Sequence, residues 1–221
     1  MIDAIIFDFD YTLADSSPGI IESANYALSR LGLPPATPDT IRRTIGLSLP
    51  ATLLALAGPE HGSPHANLEQ AFQDYFVERA DEVMADSTTL FDFVPDTVRE
   101  LSKRGLKLGI VSSKYRRRIE AVLEREGLRD RFGVIVGGED VSAFKPDPGG
   151  LISAVKKLAS VPKNVLYVGD SLVDAETAKR ASVPFVAVLS GVTERHEFSE
   201  YTVQHVLRSV SELPAILPDV L

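Results

Sequence analysis

Carboxylates, hydroxyls and lysines gather at four places along the chain, each just after a short apolar segment or in the loop that follows one. The four groups are Asp8, Asp10, Tyr11 and Thr12; Ser112, Ser113 and Lys114; Lys145 with Pro146; and Asp170, Ser171 and Asp174. Two like charges ~4 Å apart repel by about 4 kcal/mol at an effective dielectric of about 20. If these groups share one site, their carboxylates require a cation between them.

The ligands available in the sequence decide which cation that is. The chain has no cysteine, which excludes a disulfide framework, a thiolate zinc site and a cysteine nucleophile. None of the four histidines pairs with another at a zinc-binding helical spacing, and we interpret His61 and His65, like the other two, as solvated. Oxygen ligands alone favour Mg²⁺, which keeps positions open for water and phosphate, over Ca²⁺, for which no EF-hand loop is present. Lys145 beside the ion then indicates an anionic substrate.

Apolar runs rich in β-branched residues predict the strands that position these groups. They cover residues 2–9, 106–111, 134–136, 165–168 and 184–189. Continuous apolar runs are typical of strands buried on both faces, and the spacers between the last four can hold crossover helices. We therefore predict an α/β fold with a Rossmann-like parallel sheet, in which the polar groups meet beyond the carboxyl ends of the strands.

The segment between the first two predicted strands is far longer than a crossover needs, at about ninety residues. Ser17 as the N-cap and Pro18 in the first turn predict the start of a helix that Gly32 ends, and Thr37-Pro38 repeats this start signal. A further helical face is formed by Leu68, Phe72, Tyr75 and Phe76. We predict a small helical cap domain with its own core at residues 15–93, inserted into an α/β core made of residues 1–14 and 94–221.

Taken singly, most of the polar groups have a structural explanation. Asp8 or Asp170 can cap a helix, Ser112 can satisfy an amide at a strand end, and Lys145 can be an ordinary surface residue. All four groups, however, lie at the ends of strands that we predict to be neighbours. This joint placement favours a site over four independent structural roles.

The order of the motifs resembles that of the haloacid dehalogenase superfamily. The matching segments are Asp8-x-Asp10-x-Thr12, Ser112 after an apolar strand, Lys145 before Pro146, and Gly169-Asp170-Ser171-x-x-Asp174. The resemblance covers the whole chain, and the helical insert after the first motif is similar to that of the phosphoglycolate phosphatase-like branch. It implies an Mg²⁺-dependent phosphatase that hydrolyses a small phosphomonoester through an aspartyl-phosphate on Asp8.

The resemblance also implies a role for each matching residue. Asp8 would be the nucleophile, and Asp10 the general acid and then the general base, with its backbone carbonyl touching the metal. Ser112 would hold phosphoryl oxygens, and Lys145 would offset the charge of nucleophile and phosphate. The implied metal-binding residues are Asp8, Asp10, Asp170 and Asp174, the last acting through water or by orienting a ligand. The positions implied for substrate binding are Tyr11, Thr12, Ser113, Arg43 and Gly46.

Three positions bear on the substrate. Asp10 argues for phosphate esters, because dehalogenases of the superfamily lack an acid there. Tyr11 departs from the glycine usual in this branch, which puts the choice of substrate in doubt more than the mechanism. The loop 43–48 resembles a cap loop that reaches the active site in relatives, and Arg43 would meet a second anionic group. The alternative, that Arg43 is a solvated helix residue, stays open.

Other functions remain to be weighed. A phosphosugar mutase, similar to β-phosphoglucomutase, and a pyrophosphatase of the same branch share the implied chemistry. A receiver-like phospho-aspartate switch is disfavoured by the chain length, the insert and the position of the aspartate. The net charge of −8 disfavours nucleic acid and membranes as partners, and no signal-peptide pattern opens the sequence, so we expect a cytoplasmic enzyme. The pattern leaves a monomer or a dimer open.

Overall fold

The structure is a computed structural model that describes residues 2–57 and 66–220. His61 and His65 lie outside the described residues. The chain divides into two compact units. We call residues 1–14 together with 90–221 the core unit, and residues 15–89 the inserted unit. The predicted insert and the inserted unit differ at residues 90–93.

A parallel sheet organises the core unit. The strands in chain order are β1 (Ala4–Phe7), β2 (Ala14–Asp15), β3 (Thr89–Leu90), β4 (Lys107–Val111), β5 (Phe132–Val136), β6 (Val165–Gly169), β7 (Phe185–Val188) and β8 (His205–Leu207). Six of them form one sheet in the order β5-β4-β1-β6-β7-β8, with every neighbouring pair parallel. The first strand therefore lies inside the sheet, where the chain order reverses, and ligands of open α/β sheets bind at such a point. The predicted fold class is confirmed.

Helices follow in both units. They are α1 (Ser17–Arg30), α2 (Pro38–Arg42), α3 (Leu49–Ala57), α4 (Ala66–Val83), α5 (Val94–Lys103), α6 (Arg116–Arg125), α7 (Gly149–Lys157), α8 (Leu172–Ala181) and α9 (Leu213–Val220). The first four belong to the inserted unit and the others to the core unit. None of the helices described is long and apolar enough to span a membrane.

Burial on both faces of the sheet explains why its strands are almost entirely apolar. In β1, Ile5 and Phe7 pack into one core cluster while Ala4 and Ile6 pack into another. This alternation is the period of two expected when successive side chains point to opposite faces of a sheet. Full burial of an aliphatic or aromatic side chain contributes about 1.5–3 kcal/mol each, so both clusters hold β1 rigidly at the centre.

The inserted unit has a core of its own. Ala24 and Leu28 of α1 pack there with Ile41, Leu53 and residues of α4. The residues that α4 contributes are Phe72, Phe76 and Ala80. The aromatic face predicted from the sequence is thus a packing surface.

Helix starts agree with the sequence at one position and differ at another. Thr37 caps α2 as predicted, because its Oγ1 accepts a hydrogen bond from the backbone N–H of Thr40 at 3.2 Å. The prediction of Ser17 as the cap of α1 was wrong by one residue. Ser16 holds that position, and Asp15 Oδ1 accepts the hydrogen bond from the Ser17 N–H at 2.8 Å.

Strand β8 and helix α3 were not predicted, and β1 is shorter than predicted. A strand of three residues that starts with a histidine makes no apolar run. Helix α3 is apolar on most sides, so it has no clear helical period. The strand β1 ends at Phe7 because the Phe9 carbonyl accepts hydrogen bonds from the N–H groups of Leu13 and Ala14, which closes a turn.

Candidate active site

The carboxyl ends of three neighbouring strands carry the candidate site. Asp8 follows β1, Ser112 follows β4 and Asp170 follows β6. The ladder continues one step past β1, since the Asp8 N–H donates to the Val168 carbonyl at 2.8 Å. These side chains therefore share one rim of the sheet, as predicted.

Three buried carboxylates meet at this rim. Asp8, Asp170 and Asp174 each place one oxygen within 4.8 Å of the others. Oδ1 of Asp8 has no hydrogen-bond partner, and in the part of the chain that the structure describes no other buried side-chain oxygen or nitrogen shares that condition. A buried carboxylate oxygen that accepts no hydrogen bond, beside two more carboxylates, suits a hard cation.

Lys145 lies between two of these carboxylates. Its Nζ is 3.0 Å from Asp8 Oδ1, an ion-pair distance without hydrogen-bond geometry, and 2.7 Å from Asp174 Oδ1. Burial opposes the positive charge, but the carboxylates of Asp174 and Asp8 raise the pKa of Lys145 above its ordinary value. Lys145 is therefore a permanent cation next to Asp8.

One lysine does not neutralise the cluster. Burial raises the pKa of Asp8 to about 7, although Lys145 lowers it and Ser112 donates a hydrogen bond that also lowers it. Burial, with the charges of Asp174 and Asp8, raises the pKa of Asp170 well above its ordinary value. Both carboxyls are thus unfavourable as anions until a further positive charge is supplied.

Asp174 is held from all sides by the start of α8 and by β6. Its Oδ2 accepts hydrogen bonds from the N–H and Oγ of Ser171, at 3.2 and 2.6 Å, which closes a capping box. Its Oδ1 takes Lys145 and the hydroxyl of Tyr167, which is 2.9 Å away. With both oxygens occupied, Asp174 is placed to orient Lys145 rather than to turn freely toward an ion.

Tyr167 is a part of the site that sequence reasoning missed. Its hydroxyl lies within hydrogen-bond distance of Asp174 Oδ1 and of the Val111 carbonyl, 3.2 Å away, and Lys145 Nζ approaches it at 3.5 Å. Burial, followed by the charges of Asp174 and Asp8, raises the pKa of Tyr167. Because Tyr167 lies in an apolar run, the sequence indicated only that its side chain packs in the core.

Asp170 is positioned by small neighbours. The hydroxyl of Thr12 donates to its Oδ1 at 3.2 Å. A Cβ on Gly191 would stand 2.0 Å from its Oδ2, so a side chain at that position would collide with the carboxylate. Thr12 therefore contacts a candidate metal ligand, and its predicted role in substrate binding stays a prediction.

Asp10 has a buried partner that sequence reasoning also missed. Lys114 Nζ lies 3.2 Å from Asp10 Oδ1, and the two side chains are 4% and 10% exposed. Burial lowers the pKa of Lys114, while Asp10 acts in the opposite direction. The available signal was a lysine two residues after Ser112 at a strand end.

The charges of these six groups leave a negative excess. The carboxylates of Asp8, Asp10, Asp170 and Asp174 face the ammonium groups of Lys114 and Lys145. With all six ionised, two negative charges remain uncompensated. One divalent cation would balance them, and a phosphate group would then enter against a neutral rather than a negative site.

The loops beside the nucleophile are tightly constrained. Tyr11 has φ of 60°, in the left-handed region that favours glycine, and its carbonyl accepts a hydrogen bond from Ser190 Oγ at 2.6 Å. Glycine would adopt this conformation at a lower cost than tyrosine does. Ser112 Oγ accepts from the Lys114 N–H at 3.3 Å, and Ser113 lies between them.

Arg43 and Gly46 belong to the inserted unit. Arg43 is exposed at the end of α2, and Gly46 has φ of 96° in the loop before α3. The roles implied for these two residues, and for Tyr11 and Ser113, stay predictions.

Comparison with known proteins shows the family of this chain. A model of the family "Haloacid dehalogenase-like hydrolase" matches residues 5–188. The phosphoglycolate phosphatase of Chromobacterium violaceum is 33% identical over 195 residues, covering 87% of each chain. That of Shigella boydii is 32% identical over 211 residues, covering 86% of this chain and 82% of the relative.

A solved structure from Bacteroides fragilis, described as a haloacid dehalogenase-like hydrolase, has the same fold. It matches with a TM-score of 0.92 and 40% identity, over 96% of this chain and 100% of that one. The chain therefore belongs to the haloacid dehalogenase-like hydrolase family, and its relatives place it among the phosphatases of that family.

Proposed function

We propose that this phosphatase is Mg²⁺-dependent and hydrolyses a small phosphomonoester through a covalent aspartyl-phosphate on Asp8. One observation carries the proposal. Asp8 presents a buried oxygen without a hydrogen-bond partner, 3.0 Å from the Lys145 ammonium and beside Asp170 and Asp174. That arrangement suits a nucleophile that works next to a cation.

The donor set fits Mg²⁺. Asp8 and Asp170 would hold the ion directly, together with the backbone carbonyl of Asp10, while Asp174 orients the site from behind. A bound Mg²⁺ ion supplies positive charge against which a carboxylate and a phosphate can approach each other.

The first step forms the phosphoenzyme. A carboxylate oxygen of Asp8 attacks phosphorus in line as the bond to the ester oxygen breaks. Asp10, protonated, gives its proton to the departing oxygen, so the leaving group departs as a neutral alcohol. Ser112 and Lys145 face the phosphoryl oxygens, where negative charge gathers.

The second step returns the enzyme to its starting state. Asp10, now a carboxylate, accepts a proton from water as the water oxygen attacks phosphorus. The bond between Asp8 and phosphorus breaks, releasing inorganic phosphate and the free Asp8 carboxylate. Asp10 ends protonated, and the sum of both steps is ester plus water giving alcohol plus phosphate.

The substrate class follows from the relatives and from the charges. The relatives from Chromobacterium violaceum and Shigella boydii are both named phosphoglycolate phosphatase, which supports a small phosphate ester with a second anionic group as the substrate. Arg43, exposed in the inserted unit, is our candidate for contacting that second group. We rank phosphoglycolate first among the substrates to be tried.

A panel of small phosphate esters tests the proposal. Phosphoglycolate, pyrophosphate, sugar phosphates and nucleotides are assayed for phosphate release with Mg²⁺ and with EDTA. We expect release that requires Mg²⁺ and that Asp8→Asn abolishes, whereas Asp96→Asn, an exposed aspartate of α5, keeps full activity.

Three results would overturn the proposal. Undiminished activity in EDTA would refute the dependence on Mg²⁺, and activity retained by Asp8→Asn would refute Asp8 as the nucleophile. Conversion of a sugar phosphate into an isomer, without release of phosphate, would assign a mutase instead.

A further inference from the structure

Two buried lysines pair with three of the four carboxylates of the site. Lys145 pairs with Asp8 and Asp174, at 3.0 and 2.7 Å, on the side of the candidate metal site. Lys114 pairs with Asp10 at 3.2 Å on the other side. The first lysine occupies a position that the family resemblance assigns, and the second has no assigned role.

The backbone around Lys114 is fixed by close contacts. Its N–H donates to Ser112 Oγ at 3.3 Å, and its carbonyl accepts from the Gly138 N–H at 3.0 Å. A Cβ on Gly138 would stand 2.5 Å from the Ser113 carbonyl oxygen, so the two loops touch through their backbones. The ammonium itself lies 6.0 Å from the centre of the buried Phe9 ring. Lys114 is therefore held in place from both its backbone and its side chain.

We propose that Lys114 is a positioning residue for Asp10, whose carboxyl it holds by Oδ1 so that Oδ2 is the oxygen that carries the proton. The inference rests on the proposed function, because it assigns the partner of the general acid in that reaction. A long flexible side chain with 4% exposure has little reason to be buried beside a carboxylate unless its charge is used there. The ammonium group of Lys114 occupies Oδ1 of Asp10 and so limits rotation of the carboxyl group.

The reaction gives this position a specific consequence. In the first step Asp10 transfers its proton to the ester oxygen as the bond to phosphorus breaks, which matters most for a poor leaving group such as an alkoxide. An aryl leaving group such as para-nitrophenolate departs without a proton. Misplacing Asp10 should therefore slow alkyl phosphates far more than para-nitrophenyl phosphate.

The test compares kcat/KM for both ester types, since this parameter covers the steps up to cleavage of the ester bond. General acid catalysis is worth roughly 100-fold to 10,000-fold, so we expect Lys114→Met to raise the aryl-to-alkyl ratio of kcat/KM by about 100-fold. Asp10→Asn should raise the ratio at least as much, and the double variant should match Asp10→Asn alone. Lys114→Arg, which keeps the charge, should recover most of the alkyl activity.

Controls separate positioning from general damage. Lys179→Met removes an exposed lysine of α8 and should leave the ratio unchanged. Thermal melting with and without Mg²⁺ checks that each variant folds and holds the ion, and Lys114→Gln repeats the measurement in a second background. An equal loss of kcat/KM for alkyl and aryl esters in Lys114→Met would overturn the inference. So would a double variant whose aryl-to-alkyl ratio is clearly higher than that of Asp10→Asn alone. A wild-type protein that releases no phosphate from any ester would instead refute the proposed function.

Discussion

The two units of the molecule bury different kinds of polar side chain. In the inserted unit, the buried polar residues within 15–57 and 66–89 are all hydroxyls, namely Ser16, Ser17, Ser23, Thr44, Thr52 and Thr88. In the core unit they include the charged groups Asp8, Asp10, Lys114, Arg118, Asp170 and Asp174. A buried hydroxyl costs little once it has one hydrogen bond, whereas a buried charge needs a partner of opposite sign.

Three hydroxyls of the inserted unit donate to a backbone carbonyl three or four residues earlier in the chain. Ser23 donates to the Gly19 carbonyl, Thr44 to that of Ile41 and Thr88 to that of Met84. Because nearby carbonyls satisfy these three hydroxyls, replacing one of them should affect stability. The carboxylates around Asp8 are not fully balanced by the two lysines, and the proposed divalent cation would supply the missing positive charge. Incompletely balanced charge thus distinguishes the core unit from the inserted unit.

Replacing one buried polar group in each unit should separate activity from stability. We expect Asp170→Asn to reduce the rate of phosphate release by about 1,000-fold or more. The lost carboxylate would hold the proposed ion, and such an ion stabilises the transition state by several kcal/mol. The metal-free stability of this variant should stay the same or rise, because a buried carboxylate of raised pKa is lost. Ser23→Ala should keep full activity and change the free energy of unfolding by about 1 kcal/mol at most. Phosphate release and urea melts check both, and an active Asp170→Asn protein would break the comparison.

Stability should depend on pH through the core unit. The pKa of Asp8 rises from 3.8 to about 7 on burial in the metal-free protein. Between those values the folded state keeps a proton that the unfolded chain has lost, so the free energy of unfolding falls as pH rises through this range. Mg²⁺ competes with that proton. The increase in melting temperature produced by Mg²⁺ should therefore be about 3 °C or more larger at about pH 7.5 than at about pH 5.

Asp8→Asn serves as the control for that measurement, because it removes one of the two carboxyls whose pKa is raised and should weaken the dependence on pH. The described hydroxyls of the inserted unit do not titrate in this range. A shift produced by Mg²⁺ that is equal at both pH values would contradict the placement of the ion beside Asp8.

Elements with a strong pattern were predictable from the sequence. The apolar strands β1, β4 and β6 are buried on both faces, and the helices α1 and α4 each place apolar side chains on one face, so period and composition agreed with tertiary structure. Strand β8 was not predictable, because it is short and its pairing with β7 comes from the sheet. Local pattern cannot report a pairing that only the assembled fold supplies.

The candidate site divides in the same way. Asp8, Lys145 and Asp170 were expected at one rim, since parallel strands share their carboxyl ends, and the structure brings them together. The pairing of Lys114 with Asp10 joins residues 104 positions apart through two loops, and no periodicity encodes it. The left-handed backbone of Tyr11 was equally hidden, because tyrosine rarely adopts it.

The smallest expected effect concerns the backbone conformation of Tyr11. The stability difference between a glycine and an alanine variant should have opposite signs at Tyr11 in the core unit and at Ser23 in the inserted unit. A residue with a side chain costs about 1–2 kcal/mol in the left-handed region, which glycine enters freely. Comparing Tyr11→Gly with Tyr11→Ala removes the ring in both, so the glycine variant should be more stable by about 1 kcal/mol. At Ser23, inside helix α1, the order should invert, with Ser23→Ala more stable than Ser23→Gly by a similar amount. Urea melts of the four variants measure both differences. The same order at both positions would show that Tyr11 relaxes its backbone once the ring is gone, despite the hydrogen bonds that its N–H and carbonyl make with Ala14 and Ser190.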